Sequence, residues 1–343
     1  AASWGRSDAT RRPVRSSSTS SAQPDRDSAM PSSYLLIVAA GGYATRALPL
    51  TGYGATLKCL INVGEGGATV IEEILREARD SAIEHGVVIV SSEDNAAVLR
   101  RFLDPLGEDP DFAAYLVEKS NESAIALIEG RTRLDTVDLV VQDEPIGFGH
   151  AISLAAPHLK TGDFAGAVIA LGDDVVHAPT PAAAQLVSAH ANTDAMIVGV
   201  QRVSREDASR YGVVLVDTEP LDLGSDFSGK AAYRVEKMQE KPKDPTPNDL
   251  DGQEVYLAVV GRYLIRPSDM EYLTGASGSI QKELDFTALQ QHNAKERALV
   301  AVELDGTWLS VGTPLDAQKA YLHYALAGGP DRDELCRYAA RLI

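Results

Sequence analysis

The stretch AAGGYATRALP, Ala39 to Pro49, follows the apolar run YLLIV from Tyr34 and ends a candidate strand on residues suited to hold an anion. Gly41 and Gly42 carry no Cβ, so their backbone N–H groups can approach a phosphate closely, and Thr45 and Arg46 add polar groups that could grip it. The same glycine pair would also serve an ordinary strand-to-helix turn. A second stretch, AGAVIALGDD, closes an apolar run on Asp173 and Asp174. A carboxylate at the end of a buried strand is costly unless it is paired or binds a cation; capping the next turn is its other use. A third, QEKPKDPTP, sets Glu240 beside Lys241, an acceptor next to a cation, in a segment equally suited to a surface turn.

These loops need elements to position them. TVIEEILREARDSAIEHG places Val70, Ile71, Ile74, Leu75 and Ala78 at helical spacing, with Gly86 as the expected stop. VVIVSS from Val87 is the continuous β-branched run of a strand covered on both faces. Helix is then expected at AAVLRRFL from Ala96, strand at VDLVVQDE from Val137, helix at HAISLAAPHL from His150, and helix at TPAAAQLVSAHAN, with Thr180 and Pro181 at its start. AMIVGVQRV from Ala195 reads as the next strand. The alternation implies an α/β fold with a doubly wound, mostly parallel sheet, in which ligands bind beyond the carboxyl ends of the strands. The loops Gly41–Arg46, Gln142–Gly149 and Gly172–Asp174 therefore matter most. From about Gly212 the shorter runs YGVVLVD, AAYRVEKMQEKP and YLAVVGRYLI predict a smaller added β region over one side of the cleft. Helices are expected at Ser279–His292, at Pro314–Ala327 and in the C-terminal tail.

A formal charge of −17 argues against a nucleic-acid-binding surface, so any phosphate would be held in a pocket. No apolar run approaches the roughly 20 residues that span a bilayer, and no signal-peptide pattern is present. Cys59 and Cys336, far apart in the chain, suggest a reducing compartment, hence a cytoplasmic location, and no disulfide framework.

GGYATRALP followed by Lys58, then VVQDEPIGFGHA, IALGDDVV, and QEKPKDPTP before LAVVGRYLI occur in one order, with RYGVV at Arg210 and VGRYLI at Val260. In that order they resemble the sugar nucleotidyltransferases, most closely the bacterial UTP-glucose-1-phosphate uridylyltransferases, from about Tyr34 to Ala327. The resemblance implies a Rossmann-like nucleotidyltransferase fold. It also implies a reaction in which a sugar-1-phosphate oxygen attacks the α-phosphorus of a nucleoside triphosphate, UTP with glucose-1-phosphate, and pyrophosphate leaves. Charge gathers on phosphate oxygens there, so cations and positioning matter more than a covalent nucleophile.

By the same resemblance Gly41 and Gly42 approach the nucleotide, Arg46 holds the departing phosphates and Lys58 sits near the triphosphate. Gln142 reads the base, whose edge an amide can both donate to and accept from. Gly147 lets the base or ribose lie against the backbone, and Asp173 binds Mg2+. Gly212 packs against the hexose, Glu240 accepts from sugar hydroxyls and Lys241 meets the sugar phosphate. His150 reads as a structural residue at a helix start, because a phosphate nucleophile needs no strong general base. The implied partners are the two substrates, with a homo-oligomer in keeping with the family. Residues 1–29, rich in Ser, Arg, Asp and Pro, are expected to be a disordered tail or tag. Residues 30–343 would form one nucleotidyltransferase domain, with a nucleotide-binding half over 30–205 and a sugar-binding half over 206–343.

The sequence also departs from the family pattern. Ala44 replaces a loop glycine, Cys59 an acid, Asp143 a glycine and Ser279 an acid, and Ser310 in WLSVGT stands where the family has a second metal-binding aspartate. A hydroxyl is a far poorer Mg2+ ligand than a carboxylate. Three readings follow: a divergent active enzyme, with Asp173 and the substrate phosphates holding the metal or with Asp305 or Asp316 compensating; a non-catalytic nucleotide-sugar-binding relative; or a metal-dependent glycosyltransferase using GDD.

Overall fold

Leu35 and Ile37 pack into one apolar cluster and Leu36 and Val38 into another, so the uninterrupted run of β1 (Tyr34–Ala39) is a strand buried on both faces. A computed structural model describes residues 33–42, 45–52, 57–130, 134–144, 146–277, 286–328 and 332–342. The expectations for 1–29, Ala44 and Ser279 lie outside the described residues.

After β1 come α1 (Val70–Arg79), β2 (His85–Val90), α2 (Glu93–Leu103), α3 (Pro105–Glu108), α4 (Pro110–Glu118), α5 (Glu122–Glu129) and β3 (Thr136–Val141). There follow α6 (Phe148–Ser153), α7 (Ala156–Thr161), β4 (Gly166–Leu171), β5 (Asp174–His177), α8 (Ala182–His190), β6 (Met196–Val203) and α9 (Arg205–Ala208). The chain continues through β7 (Val213–Val216), β8 (Ala231–Gln239), β9 (Asn248–Leu250), β10 (Gln253–Ile265), α10 (Pro267–Ser277) and α11 (Phe286–Lys295). It closes with β11 (Leu299–Glu303), β12 (Thr307–Ser310), α12 (Pro314–Ala327) and α13 (Arg332–Ala339).

The main sheet runs β3-β2-β1-β4-β10-β6-β11-β8-β7, with β9 on β10. Its first four strands are parallel, as the βαβ alternation predicts. The remainder is mixed: β10 runs antiparallel to β4, β6, β7 and β9, and β8 is antiparallel to β7 and β11. A tight turn imposes one of these pairings, β9 on β10, since strands joined in that way must be antiparallel; the others bring together strands farther apart in the chain. Between β9 and β10, Asp251 and Gly252 both take positive φ, 56° and 73°, the Asp-Gly pattern of a two-residue hairpin turn. The expected smaller β region therefore does not stand apart, because its strands continue the main sheet. A separate ribbon pairs β5 with β12.

Local differences have local causes. The helix expected to run to Gly86 stops at Arg79, where the chain turns through Ala82 at φ 58°, and Gly86 lies inside β2. HAISLAAPHL forms two helices, α6 and α7, and α3, α4 and α5 occupy a stretch that the periodicity left unassigned. The start of α1 is secured by a capping box: the Thr69 N–H donates to Glu72 Oε2 at 2.9 Å and the Glu72 N–H to Thr69 Oγ1 at 3.4 Å.

Candidate active site

The carboxyl ends of β1, β3 and β4 open onto a cavity of about 340 Å³ lined by Gly41, Gly42, Lys58, Gln142, Gly147 and Asp173. A second cavity of about 370 Å³ is lined by Arg46, Asp173, Gly212, Glu240 and Lys241 together with Asp174, Arg210, Trp308, Ser310 and Asp316. Asp173 and Leu171 line both. All ten residues singled out in the sequence thus border one of two cavities that meet at Asp173.

At that meeting point Lys58 Nζ donates to Asp173 Oδ2 at 2.7 Å, the two side chains being 14% and 29% exposed. Lys58 begins a single 3₁₀ turn, Lys58–Leu60, anchored by the buried Leu57 and Cys59. Burial pushes the Cys59 thiol up to about 12, with the Asp173 charge adding to it, so this position, an acid in the family pattern, is neutral here. Arg46 is exposed on its own 3₁₀ turn, Thr45–Ala47.

In the first cavity Gln142 is 9% exposed, and its amide nitrogen donates to the Gly147 carbonyl and to His150 Nδ1, both at 3.1 Å. An amide nitrogen only donates, so His150 Nδ1 accepts and its ring proton sits on Nε2. His150 is thereby an orienting partner of Gln142, and it leaves the Gln142 Oε1 free of these bonds. Gly147 caps α6 at φ 109° and ψ 170°, a region that a side chain would strain.

On the other side, a Cβ on Gly212 would meet Glu240 Oε2 at 3.2 Å. Glu240 and Lys241 pair at 3.1 Å just beyond β8. Trp308, to which the sequence pattern gave no role, donates from Nε1 to Asp174 Oδ1 at 3.0 Å and meets Tyr211 edge-on at 4.5 Å between centroids. Arg210 lies over Tyr211 and 3.6 Å from Asp316 Oδ2. Asp316 also accepts from Thr313 Oγ1 at 2.6 Å at the start of α12. Of the two acids considered as compensating for Ser310, Asp316 borders the cavity, while Asp305 pairs with Lys230 at 3.4 Å. Ser310 stands opposite Asp174 in the β5–β12 ribbon. Trp308 escaped the sequence reading because its importance comes from pairing across β5 and β12, 134 positions from Asp174.

Asp174 is buried, and burial followed by the charge of Asp173 pushes its carboxyl up to about 7, against the pull of Trp308, Arg262 and Ser310. Asp174, raised in this way by the charge of Asp173, forms with it a donor set that a cation would relieve. Among the described residues no group of three or more His, Cys, Asp or Glu side chains gathers into a metal cage. The donor set fits an ion that takes one or two protein carboxylates and completes its shell with phosphate and water.

The nucleotidyl transferase family model matches residues 35–325 of this chain. The UTP–glucose-1-phosphate uridylyltransferase of Bacillus subtilis is 30% identical over 312 residues, covering 90% of this chain and 96% of that protein. The enzyme of the same name from Staphylococcus haemolyticus is 29% identical over 307 residues, 89% and 97% of the two chains. Among solved structures, a UTP-bound UGPase from Acinetobacter baumannii superposes with a TM-score of 0.73 at 22% identity, covering 90% of this chain and 99% of that one. A UDP-glucose pyrophosphorylase complexed with UDP-glucose superposes at 0.63, also at 22% identity, over 86% and 99%.

Proposed function

This chain belongs to the nucleotidyl transferase family, and from that premise we propose that it joins UTP and glucose-1-phosphate into UDP-glucose with release of pyrophosphate. The observation that carries the reading is the Lys58–Asp173 contact at the junction of two cavities. One cavity offers glycine backbone and an oriented amide, and the other offers Glu240, Lys241 and two arginines.

In this reading the nucleotide takes the first cavity. Gln142, its nitrogen spent on Gly147 and His150, presents Oε1 to a base edge that donates, as the N3–H of uracil does and the N3 of cytosine does not. Gly41 and Gly42 admit the phosphates close to the backbone, and Gly147 leaves space for the base or ribose. Sugar phosphate takes the second cavity, its hydroxyls donating to Glu240 and its phosphate meeting Lys241, with Gly212 leaving room for the hexose. Lys58 and Arg46 bring positive charge to the oxygens on which charge grows as pyrophosphate departs. Asp173, with Asp174 behind it, would hold Mg2+, which when bound neutralises phosphate charge and aligns the two substrates.

The domain is read as residues 30–343, with the nucleotide half over 30–205 and the sugar half over 206–343. Free Cys59 and Cys336 suit a cytoplasmic setting. Exposed Leu315, Tyr321 and Leu322 on α12 and Tyr338 on α13 suit a homo-oligomer.

The test is pyrophosphate release with each of four nucleoside triphosphates and a panel of sugar-1-phosphates in Mg2+ or Mn2+. Release is expected with UTP and glucose-1-phosphate, and it should fall by about 10³-fold in Asp173→Asn. Ser310 in the second cavity favours one other reading, a relative that binds nucleotide-sugar without transferring it. Tight UDP-glucose binding with no release under either metal would select that reading.

A further inference from the structure

The motif VGRYLI contains a charge with no part in the chemistry above. Arg262 lies on β10 in the centre of the main sheet and is fully buried, at 0% exposure. It follows Gly261, where β10 slips register against β6 between Val259 and Tyr263. Gly261 takes φ 68°, and a Cβ there would come within 2.6 Å of Asp174 Oδ2. The bulge aims the guanidinium off the ladder. Its Nε and Nη2 donate to Glu77 on α1, at 3.0 and 2.9 Å, and Nη2 also donates to the carbonyl oxygen of Asp174 at 3.0 Å.

That carbonyl belongs to the first residue of β5, directly after Gly172 and Asp173, the short crossing from β4. The crossing is tied at three backbone points. The Gly172 N–H donates to the Ala39 carbonyl at 2.9 Å, the Val311 N–H donates to the Asp173 carbonyl at 2.8 Å, and Arg262 holds Asp174. The first two ties are main chain to main chain, and the third is made by a side chain. Taking a guanidinium and a carboxylate out of water is expensive, and apolar residues of similar volume commonly stabilise a core as well or better. A planar fork, however, can hold a carboxylate and a carbonyl at once in fixed geometry, which an apolar side chain cannot do.

The geometry points to Arg262, braced by Glu77, as the positioning residue that fixes the Asp173–Asp174 crossing and so sets where the Asp173 carboxylate projects between the two cavities. This inference rests on the uridylyltransferase reading and adds to it a residue that touches neither substrate. Glu77 serves as more than a counter-ion, because it also accepts from the Ala183 N–H at 3.0 Å and so docks the start of α8 against the pair.

Two variants separate positioning from mere stability. Arg262→Lys keeps the charge for Glu77, but a single ammonium cannot reproduce the fork that also reaches the Asp174 carbonyl. Arg262→Met combined with Glu77→Gln removes both charges together and leaves an acceptor for Ala183. In both, kcat is expected to fall by about 100-fold, the scale on which a small misplacement of reacting groups acts. KM for UTP, and UTP affinity by calorimetry, should stay within about threefold, since Gln142, Gly41 and Gly147 are held by other elements. Folded variants with kcat within about threefold of wild type would overturn the inference, as would losses of kcat that match the loss of folded protein by circular dichroism. Failure of both variants to fold would make the pair a folding element and overturn it too. No pyrophosphate release from the unmodified protein with any triphosphate would overturn the uridylyltransferase reading itself, and this inference with it. An active wild type with unaffected variants overturns the inference alone.

Discussion

The two cavities that meet at Asp173 are built from different materials. The nucleotide side lies at the ends of parallel strands and is made largely of backbone and buried groups: Gly41, Gly42, Gly147, a Gln142 with both amide hydrogens engaged, and Lys58 at 14% exposure. The sugar side lies along the antiparallel half of the sheet and relies on long charged side chains, with Glu240 and Lys241 each 56% exposed and Arg210 49% exposed. Backbone at a strand end has few alternative positions, so it fixes the shape of what it holds. Exposed side chains on turns are freer to change partners, and each ion pair among them contributes little stability, about 0–1 kcal/mol. One side is therefore set by the fold, and the other can be retuned without disturbing it.

The sharpest way to break that contrast is at the junction both sides share. Lys58→Met removes the cation that Asp173 holds at 2.7 Å while keeping an unbranched side chain of similar reach. Loss of charge stabilisation at a site of developing charge predicts a fall in kcat of about 10²-fold. Thermal stability should change little and KM should change less than kcat. A large rise in KM for UTP with kcat intact would mean that Lys58 serves binding alone.

Next come two substitutions, one for each side. Gly147→Ala forces a side chain into φ 109° and ψ 170°, a strain of about 1–3 kcal/mol, at the residue whose carbonyl holds the Gln142 amide. KM for UTP is expected to rise by about tenfold, with KM for glucose-1-phosphate unchanged. Glu240→Gln keeps size and an acceptor but loses the charge, so KM for the sugar phosphate should rise by about three- to tenfold, with KM for UTP unchanged and no measurable loss of stability. Steady-state kinetics with each substrate varied in turn measures both. Equal effects on both KM values in either variant would show that the two sides are not independent.

How much of this was legible in the sequence follows the same division. The parallel half declared itself because strands buried on both faces read as unbroken apolar runs, and its loops follow those strands directly. The loop residues Gly41, Gly42, Gln142 and Asp173 therefore stood out at the points where the runs ended. The antiparallel half was misjudged as a separate region, because short strands that pair with strands distant in the chain carry no signal of which sheet they extend. Trp308, Arg262 and Asp316 were given no firm role for a related reason. Each gains its part from a partner far away in the chain, such as Glu77, 185 positions from Arg262. Asp316 was one of two acids proposed, and proximity in sequence to Ser310 could not choose between it and Asp305. The α3–α5 stretch was missed because its helices are short, at 4, 9 and 8 residues, and bury little, so no long amphipathic period marks them.

The smallest expected effect tests a link between the two halves away from the chemistry. His177 at the end of β5 and His323 on α12 face each other with Nδ1 and Nε2 2.8 Å apart, and Tyr324 packs against His177 at 4.9 Å between centroids. Such a bond needs one ring to donate and the other to accept, so it cannot survive protonation of the accepting nitrogen. Burial, and then the neighbouring His177, holds the His323 imidazole below its ordinary range. A histidine whose value is lowered by folding binds fewer protons in the folded state, so its contribution is complete above the unfolded value of about 6.5 and is lost as pH falls through the lower folded value. Glu73, Arg76, Glu77 and Asp80 line the pocket beside His177 and set a background charge that the comparison must hold constant. The melting temperature of wild type should therefore drop slightly more between pH 7.5 and 5 than that of His323→Gln, which keeps a hydrogen-bonding side chain but does not titrate. The difference should be about 0.5 °C, the scale of a few tenths of a kcal/mol in a domain of this size. Parallel melting curves for the two proteins across that range would mean that β5 and α12 are held by packing alone, and that acid reaches the junction of the halves by another route.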